Sequence, residues 1–245
     1  MNRGTAPIGI QGEKQVAQWV RRMFDSVAPR YDLLNHLLSM NTDKYWRWRA
    51  VRRVEEVLRK PNSRVLDLCC GSGDLLIALQ EKASSVVQGA DFSHEMLRKA
   101  RNKIAGRRLQ CPLIEADALQ LPCPDQAYDL VAAAFGFRNL AHYGKGLTEM
   151  LRILKPGGTI AILEFSTPPN PAFRALYNLY CRRLMPRIGA AISGSPIAYA
   201  YLQDSVRKFP GAAELAGEME RAGFRNVRFH RMTFGVVALH LGERG

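Results

Sequence analysis

Apolar residues fall into seven short runs along the chain, and most of these runs are separated by stretches with helical spacing. Short apolar runs bounded by turn residues are typical of buried strands. Strands that alternate with helices favour a mostly parallel sheet with helices on both faces. We therefore predict an α/β fold with seven strands, at residues 64–70, 86–91, 109–115, 128–135, 159–164, 227–232 and 236–241.

Three helices between these strands can be placed from their ends and their apolar faces. The first is expected over residues 74–82, directly after a glycine turn. Ser93 is a suitable N-cap for the second, because its hydroxyl can accept a hydrogen bond from a free backbone N–H. Its apolar face would consist of Met96, Leu97, Ala100 and Ile104. The third spans residues 141–154 and is expected to stop at the sequence Lys155-Pro156-Gly157-Gly158.

Positive charge is concentrated in two segments. The chain has 35 basic and 22 acidic residues among 245, a formal net charge of +13. Residues 1–60 contain 12 basic and 6 acidic side chains, and residues 171–210 contain 6 and 1, whereas the middle of the chain is almost neutral. Basic flanks on a neutral core predict contact with anionic lipid, nucleic acid or an anionic substrate, although a merely solvated surface has the same composition.

The apolar runs and the cysteines argue against several classes of protein. No run is long enough to cross a bilayer, and residues 1–4 do not start an apolar signal segment. The five cysteines are odd in number, with no CxxC pair and no histidine at zinc-ligand spacing. They fit buried thiols in a reducing compartment better than disulfides or a metal site. We therefore expect a cytoplasmic protein without a bound metal.

The first strand ends in a glycine turn, Asp67-Leu68-Cys69-Cys70-Gly71-Ser72-Gly73. Glycines in such a turn allow the backbone to approach a ligand closely, which makes Gly71, Ser72 and Gly73 candidate binding residues. A dinucleotide-binding turn would have a third Gly or Ala where this chain has Leu76. The turn therefore favours a nucleoside ligand that carries no diphosphate.

Acidic residues end three successive strands of the predicted sheet: Asp67, Asp91 and Asp117. An acid at the end of the second strand can accept hydrogen bonds from both ribose hydroxyls. Asp117 and Ala118 would meet an adenine edge. Each aspartate alone could be a helix cap or a surface residue, but the three together favour S-adenosylmethionine. This pattern resembles class I S-adenosylmethionine-dependent methyltransferases, which implies a Rossmann-like fold.

Longer segments narrow the resemblance to one family. Tyr31-Asp32-Leu33-Leu34-Asn35-His36-Leu37-Leu38-Ser39, followed by Asp43-Lys44-Tyr45-Trp46, is similar to the first signature of the ubiquinone/menaquinone biosynthesis C-methyltransferases. The segment from Arg152 to Gly158, with Glu164-Phe165-Ser166, resembles their second signature. Shorter matches extend the resemblance to roughly residues 15–243. Ala134 stands where some members have a serine that touches the cofactor, so that contact is not carried over.

The resemblance implies methylation of a ring carbon on a prenylated quinol. It points first to demethylmenaquinol, with the methoxy-benzoquinol step of ubiquinone synthesis as an additional reaction. A quinol carbon is nucleophilic once its neighbouring hydroxyl has lost a proton, so the site must favour that ionisation. We expect Arg138 to stabilise the quinolate and Asn139 to orient it. The alternative for Arg138 is a salt bridge to a neighbouring acid.

Tyr31 and Asp32 are the other two candidate catalytic residues. Tyr31 could hydrogen-bond the substrate or the carboxylate of the cofactor, and Asp32 could serve as a base or as an orienting group. The alternative is that the pair only caps a short helix that runs to Leu38.

Two attachments to the methyltransferase core are expected. Residues 1–60 would form an N-terminal helical cap on a core of residues 61–245, and residues of about 171–208 would form a helical lid. The lid has a wide apolar stripe, which consists of Phe173, Leu176, Tyr177, Leu179, Tyr180, Leu184 and Met185. It is interrupted by four arginines, Arg174, Arg182, Arg183 and Arg187. Packing on the core is one explanation for this stripe. The other is a peripheral contact of the basic flanks with the inner face of a membrane, where a prenyl tail resides.

Other functions fit the sequence less well. The net charge would suit a nucleic-acid methyltransferase, but the loop after the fourth strand is Phe135-Gly136-Phe137-Arg138-Asn139 and lacks the Pro-Pro-aromatic or Pro-Cys pattern of those enzymes. No aromatic and basic platform for single strands is present, so a nucleic-acid partner is not expected. The three acids argue against a non-catalytic lipid-binding scaffold. Another small-molecule methyltransferase, the choice of quinol ring and the oligomeric state stay open.

Overall fold

A computed structural model describes residues 4, 5, 7, 9, 10, 12–183 and 196–245. Seven strands form one sheet in the order β3-β2-β1-β4-β5-β7-β6. This confirms the predicted α/β class. The strands are β1 Val65–Leu68, β2 Val87–Asp91, β3 Leu113–Glu115, β4 Tyr128–Ala134, β5 Leu154–Phe165, β6 Phe224–Met232 and β7 Val237–Arg244.

The first five strands are parallel, whereas β7 is antiparallel to both β5 and β6. The carboxyl ends of β1 to β5 therefore share one edge of the sheet, which is where ligands bind in such folds. Because β6 runs in the same direction as β5, the turn from β6 to β7 emerges at that edge as well.

Ten helices occur among the described residues. They are α1 Glu13–Val27, α2 Tyr31–Leu38, α3 Thr42–Arg53, α4 Glu55–Arg59, α5 Asp74–Gln80, α6 His94–Gly106, α7 Tyr143–Ile153, α8 Pro171–Arg183, α9 Pro196–Lys208 and α10 Ala212–Arg221. Ser93 caps α6 as predicted, since its hydroxyl accepts a hydrogen bond from Met96 N at 3.2 Å. The four residues predicted for the apolar face of α6 are all buried.

Two strand boundaries differ from the sequence prediction. β5 begins at Leu154, so the predicted turn at residues 155–158 lies inside the strand. Opposite β4 the register moves from Leu154 to Thr159 while β4 advances only from Tyr128 to Leu130, so these residues form a bulge. β3 is shorter than predicted and starts only after Pro112, which has no N–H to donate to a neighbouring strand.

The helices before β1 pack in two different places. Trp46, Val51 and Leu58 belong to the same buried cluster as the side chains on one face of the central strands. Helix α1 instead contacts α6 and α9, and its Val16 and Val20 pack with Tyr201 of α9. The second half of the first 60 residues is therefore part of the core packing. The division of the chain at residue 60 stays a prediction.

Helices α8 and α9 occupy the range predicted to be a lid. Residues 184–195 between them lie outside the described residues, and so do Leu184 and Met185 of the predicted apolar stripe and Arg187 of its basic residues. Whether this range opens and closes is not tested by its position and stays a prediction.

Candidate active site

The backbone of the glycine turn after β1 adopts positive φ angles at three positions. They are +56° at Cys69, +55° at Gly71 and +88° at Gly73. A Cβ built at Gly71 would meet nothing within 4 Å, so Gly71 faces open space, and both Gly71 and Ser72 line a cavity at the carboxyl edge. Gly73 was expected to bind the cofactor, but it does not line this cavity. A Cβ there would lie 3.2 Å from that of Ala100, so Gly73 allows close helix packing instead.

The ends of β1 and β4 approach each other closely at this edge. A Cβ built at Gly136 would lie 2.4 Å from the Cβ of Cys69, a distance that no side chain tolerates. The preceding Phe135 has a φ of +58°, which is unfavourable for a bulky residue. This sharp turn starts the one-turn 3₁₀ segment Phe137–Asn139, which carries two of the predicted catalytic residues.

The first cavity brings the three predicted acids together. Asp67, Asp91, Asp117 and Ala118 all line it. Asp91 accepts hydrogen bonds from Gly71 N at 2.8 Å and from Ser93 N at 2.9 Å. Burial raises the pKa of Asp91 to about 6, and the backbone N–H groups oppose this shift. Asp91 can therefore be ionised at neutral pH and accept the ribose hydroxyls.

Asp67 provides the clearest test of whether the cavity fits S-adenosylmethionine. Its side chain is fully buried, and neither carboxylate oxygen has a hydrogen-bond partner among the described residues. Desolvation raises its pKa well above the ordinary value. A buried carboxylate that lines a cavity without a partner calls for a cationic ligand group. The α-ammonium of S-adenosylmethionine is such a group, so these residues fit the cofactor.

Arg47 is a buried cation that the sequence analysis missed. It lines both this cavity and a second, larger one. Its guanidinium is paired with Asp43 and lies 3.8 Å from Asp74, and it sits 5.4 Å from the ring centroid of Phe135. The i,i+4 spacing of Asp43 and Arg47 was the available signal. Helix α3 thus adds a positive charge to a cavity that the acids of the strand ends also line.

Asp32 does not line either cavity. It accepts a hydrogen bond from the hydroxyl of Ser72 at 2.5 Å and lies 3.2 Å from Lys99 and 3.4 Å from Lys103. Burial alone would raise the pKa of Asp32, but Ser72 and the two ammonium groups outweigh it, so the pKa is lowered. A carboxylate with a lowered pKa is a poor base. The geometry therefore favours the orienting role predicted for Asp32 over the role of a base.

The second cavity has a volume of about 700 Å³ and adjoins the first. Its wall is formed by α2, α3, α8, α9, the residues after β5, and the turn from β6 to β7. Tyr31, Arg47 and Phe135 line both cavities and so mark the boundary between them. The surface of the wall is mainly apolar, and aromatic side chains such as Trp46, Phe165, Phe173 and Tyr177 contribute to it. A flat, apolar acceptor fits such a wall.

Arg138 lies in this second cavity and is paired with Glu164. The guanidinium Nη1 donates to Glu164 Oε1 at 3.0 Å and also to the carbonyl of Phe135. Its Nε is buried and has no partner among the described residues. Burial disfavours the charged form of Arg138, but the carboxylate of Glu164 outweighs it, and the pKa is raised. Arg138 therefore stays a cation, and the salt bridge considered for it is present.

Tyr31 lies at the boundary of the two cavities, whereas Asn139 lines the first. Burial raises the pKa of Tyr31, with Arg138 opposing, so its hydroxyl stays protonated at neutral pH. Asn139 was expected to face the quinolate, but it lines only the first cavity. Its Oδ1 accepts a hydrogen bond from Tyr201 at 3.1 Å, and the Tyr201 hydroxyl also lies 2.9 Å from Thr5 Oγ1. Arg138 and Asn139 therefore serve neighbouring cavities.

The sheet order, the glycine turn and three acids at successive strand ends define a class I S-adenosylmethionine-dependent methyltransferase. Solved structures of this class support the fold. An S-adenosylmethionine-dependent methyltransferase from Thermotoga maritima has a TM-score of 0.64 at 16% identity, covering 92% of this chain and 100% of that one. One from Aquifex aeolicus has a TM-score of 0.59 at 21% identity, covering 80% and 89%.

The particular family follows from sequence comparison. A model of the ubiE/COQ5 methyltransferase family matches residues 11–244, and the chain belongs to this family. The demethylmenaquinone methyltransferase of Thermus thermophilus is 49% identical over 223 residues, covering 91% of this chain and all of its own. That of Deinococcus radiodurans is 44% identical, covering 97% of both chains.

A third relative carries both quinones in its name. It is the ubiquinone/menaquinone biosynthesis C-methyltransferase UbiE of Geobacter sulfurreducens, 42% identical, covering 92% of this chain and 88% of its own. The predicted family, the enzyme class and S-adenosylmethionine as co-substrate are thus confirmed.

Proposed function

We propose that this enzyme methylates a ring carbon of demethylmenaquinol, with S-adenosylmethionine as the methyl donor. The observation that carries the proposal is the second cavity of about 700 Å³, whose surface is mainly apolar and which meets the cofactor cavity at Tyr31, Arg47 and Phe135. A quinol ring seated there would lie next to the cofactor, and the remaining apolar volume would take the first part of a prenyl tail. The names of the relatives from Thermus and Deinococcus support the naphthoquinol ring.

The residues of the first cavity would hold the cofactor at both ends. Asp91 would accept the ribose hydroxyls, and Asp117 with Ala118 would meet the adenine. Asp67 would bind the α-ammonium, and Arg47, the buried cation of the same cavity, would bind the α-carboxylate. When bound, the cofactor supplies an electrophilic methyl group on its sulfonium sulfur. Because both ends of the cofactor would be held, the methyl group would be positioned towards the acceptor, and this positioning would supply much of the rate of methyl transfer.

Arg138 would act on the acceptor rather than on the cofactor. Its unpartnered Nε–H is available to a phenolate oxygen, and the fixed positive charge lowers the cost of forming that phenolate. Glu164 holds the guanidinium in place. Tyr31 stays protonated and can donate a hydrogen bond across the boundary of the two cavities. The proton itself would leave to water, because Arg138 is a poor base.

Contact with a membrane is part of this proposal. None of the described helices combines the length and apolarity that a membrane span requires. A prenylated acceptor resides in a bilayer, and the basic flanks would support reversible, peripheral binding at the cytoplasmic face.

The proposal is tested with labelled S-adenosylmethionine and two reduced, short-tailed acceptors, a demethylnaphthoquinol and a methoxy-benzoquinol. Label in the naphthoquinol alone supports the proposed reaction, and label in both makes the enzyme bifunctional. If neither acceptor is labelled but the enzyme still binds S-adenosylhomocysteine, the enzyme class stands and the proposed quinol substrate is wrong.

The role of Arg138 has its own test, the ionisation of the bound quinol followed by its absorption as a function of pH. We expect Arg138→Ala to raise the pKa of the bound quinol and Arg138→Lys to raise it less. An unchanged quinol pKa in Arg138→Ala would contradict the role.

A further inference from the structure

Exposed apolar side chains are concentrated around one face of the molecule. Nine large hydrophobic residues of the described part of the chain are at least 43% exposed. Eight of them lie on α2 and the turn after it, on α3, on α8, or in the turn from β6 to β7. These elements all contribute to the wall of the second cavity. The ninth, Val86, precedes β2 and so lies at the opposite edge of the sheet. Concentration of this kind marks an interaction surface.

Two turns carry an exposed apolar residue whose backbone φ angle is positive. Met40 has a φ of +51° and is 72% exposed, and Phe234 has a φ of +54° and is 77% exposed. Bulky residues are strained at positive φ, and such strain is found most often at functional sites. Met40 lines the cavity, and Phe234 follows Thr233, which does so too. Both turns thus flank the mouth of the cavity.

The turn that carries Phe234 is fixed to the helices beside it. Trp46 Nε1 of α3 donates to Thr233 Oγ1 at 2.8 Å, and the ring of Phe234 lies 5.0 Å from that of Phe173 on α8. The exposed ring is therefore held in position rather than left on a free loop. A held, exposed aromatic ring is suited to insertion into an apolar phase.

Helix α3 continues this face with aromatic and basic side chains. The rings of Tyr45 and Trp48 are stacked with centroids 6.0 Å apart, and both residues are about half exposed. Arg49 lies 6.0 Å from the ring centroid of Tyr45, and Arg52 lies 6.0 Å from that of Trp48. Tyr and Trp with basic neighbours are the side chains enriched at membrane–water interfaces.

Further positive charge lies beside α3 on the edge strand β6. Burial lowers the pKa of His230 first, and the charges of Arg53, Arg228 and Arg49 lower it further, so these three guanidinium groups lie on the same side of the molecule as His230. Arg231, two residues before Thr233, is exposed as well. This side of the face therefore has a strong positive potential, which is complementary to anionic headgroups.

We propose that this face, which we call the mouth face, docks reversibly on an anionic lipid bilayer. Met40, Phe234, Tyr45 and Trp48 would enter the interfacial region, and the arginines of α3 and β6 would contact the headgroups. The mouth of the second cavity would then open towards the acyl chains. This rests on the proposed function in one respect, the prenyl tail as occupant of the cavity. A bilayer is favoured over a protein partner because the apolar residues lie on elements around the cavity and the side chains beside them are mainly basic. These are Arg49, Arg53, Arg228 and Arg231, together with Arg52, which is paired with Glu55 at 3.5 Å.

The test is flotation of the full-length protein with vesicles of phosphatidylcholine, with and without phosphatidylglycerol. The variant Phe234→Ser/Trp48→Ser changes two exposed side chains that line neither cavity, and Val86→Ser is the matched control. We expect the double variant to weaken binding to anionic vesicles about tenfold or more, and the control to leave it unchanged. Arg52→Gln/Arg53→Gln should weaken it about fivefold for each arginine. The control pair is Arg101→Gln on α6 and Arg107→Gln directly after this helix.

Turnover of a short-tailed quinol in solution separates the two proposals. The double variant should keep this turnover, while its turnover of a long-tailed quinol in vesicles falls together with vesicle binding. Equal flotation of wild type and double variant overturns the docking face, as does a wild type that ignores anionic lipid and binds a soluble protein instead. Flotation as expected without turnover of any quinol retains the docking face and rejects the proposed substrate.

Discussion

The guanidinium of Arg138 and the carboxylate of Glu164 form an ion pair at 3.0 Å, with side-chain exposures of only 4% and 0%. Removing one partner of a buried pair leaves the other charge uncompensated, which costs about 3–5 kcal/mol. We therefore expect Glu164→Gln to lower the free energy of unfolding by about this amount. In the background Arg138→Met the same change should cost much less. Denaturant unfolding of the four proteins measures this, and additive losses would show that the two groups do not act as a pair.

Asp32 should tolerate loss of its charge better than a catalytic base would. The Asp32 carboxylate accepts from Ser72 and lies near Lys99 and Lys103, away from both cavities. Asp32→Asn should therefore raise the KM for S-adenosylmethionine through the glycine turn and leave kcat nearly unchanged. A general base at this position would instead lose about 10²–10⁴-fold in kcat. The control is Asp129→Asn, which removes the charge of an aspartate paired with Lys155 at the amino end of β4.

Asp91 predicts a pH dependence of cofactor binding. Burial raises its pKa to about 6, and ribose hydroxyls donate best to the ionised form. Binding of S-adenosylhomocysteine should therefore weaken as the pH falls below about 6, approaching about tenfold per pH unit, and should release a proton there. Calorimetry in two buffers of different ionisation enthalpy measures the proton. Asp91→Asn should bind more weakly and without this dependence.

The carboxyl group of Asp91 also makes the stability of the cofactor-free enzyme depend on pH. Its folded-state pKa lies above the ordinary value of 3.8, so the folded chain binds this proton more tightly than the unfolded chain. The contribution of Asp91 to the free energy of unfolding is therefore fully present below pH 3.8 and is lost as the pH rises to about 6. Asp91→Asn should remove this loss. The free energy of unfolding of the variant should therefore differ less between the two ends of that pH range than that of the wild type.

The proposed roles of Arg47 and Asp67 predict that the enzyme distinguishes nucleosides with an amino acid group from those without one. S-adenosylhomocysteine has an amino acid group, whereas 5′-methylthioadenosine lacks it. Arg47→Gln should weaken binding of S-adenosylhomocysteine by about tenfold or more, equivalent to about 1.4 kcal/mol, and leave 5′-methylthioadenosine unaffected. Equal losses for both nucleosides would assign Arg47 to the structure of the site, through Asp43 and Asp74, and not to the carboxylate.

The residues of the cofactor cavity could be predicted from the sequence because short local patterns mark them. Each strand end is marked by a change from apolar residues to an acid or a glycine, and parallel strands bring their carboxyl ends to one edge. Asp67, Asp91 and Asp117 therefore had to converge, and they do. Gly73 belongs to the same turn, but it packs against Ala100 and does not line the cavity. This depends on the position of α6, which the sequence of the turn does not predict.

The acceptor half depends on packing between distant segments. Arg138 and Glu164 come together because β4 and β5 pair with Ala134 opposite Leu163, and this register includes a bulge that the glycines at 157 and 158 did not reveal. Asn139 was predicted on the same side as Arg138. The short 3₁₀ turn that holds both points them into different cavities. Arg47 was missed because only the orientation of α3 on the sheet directs it inward.

The two cavities draw on different lengths of the chain. Residues that line the cofactor cavity all fall between Ala17 and Ala141, whereas those of the second cavity extend from Tyr31 to Val236. The last hundred residues contribute no lining residue to the cofactor cavity, and Tyr201 acts on it through its hydrogen bond to Asn139. Changes in α8, α9 and the final hairpin would therefore alter the second cavity more directly than the first. Because β7 lies between β5 and β6, the turn from β6 to β7 emerges at the carboxyl edge. A late segment of the chain thus joins α2 and α3 in the wall of the proposed acceptor cavity.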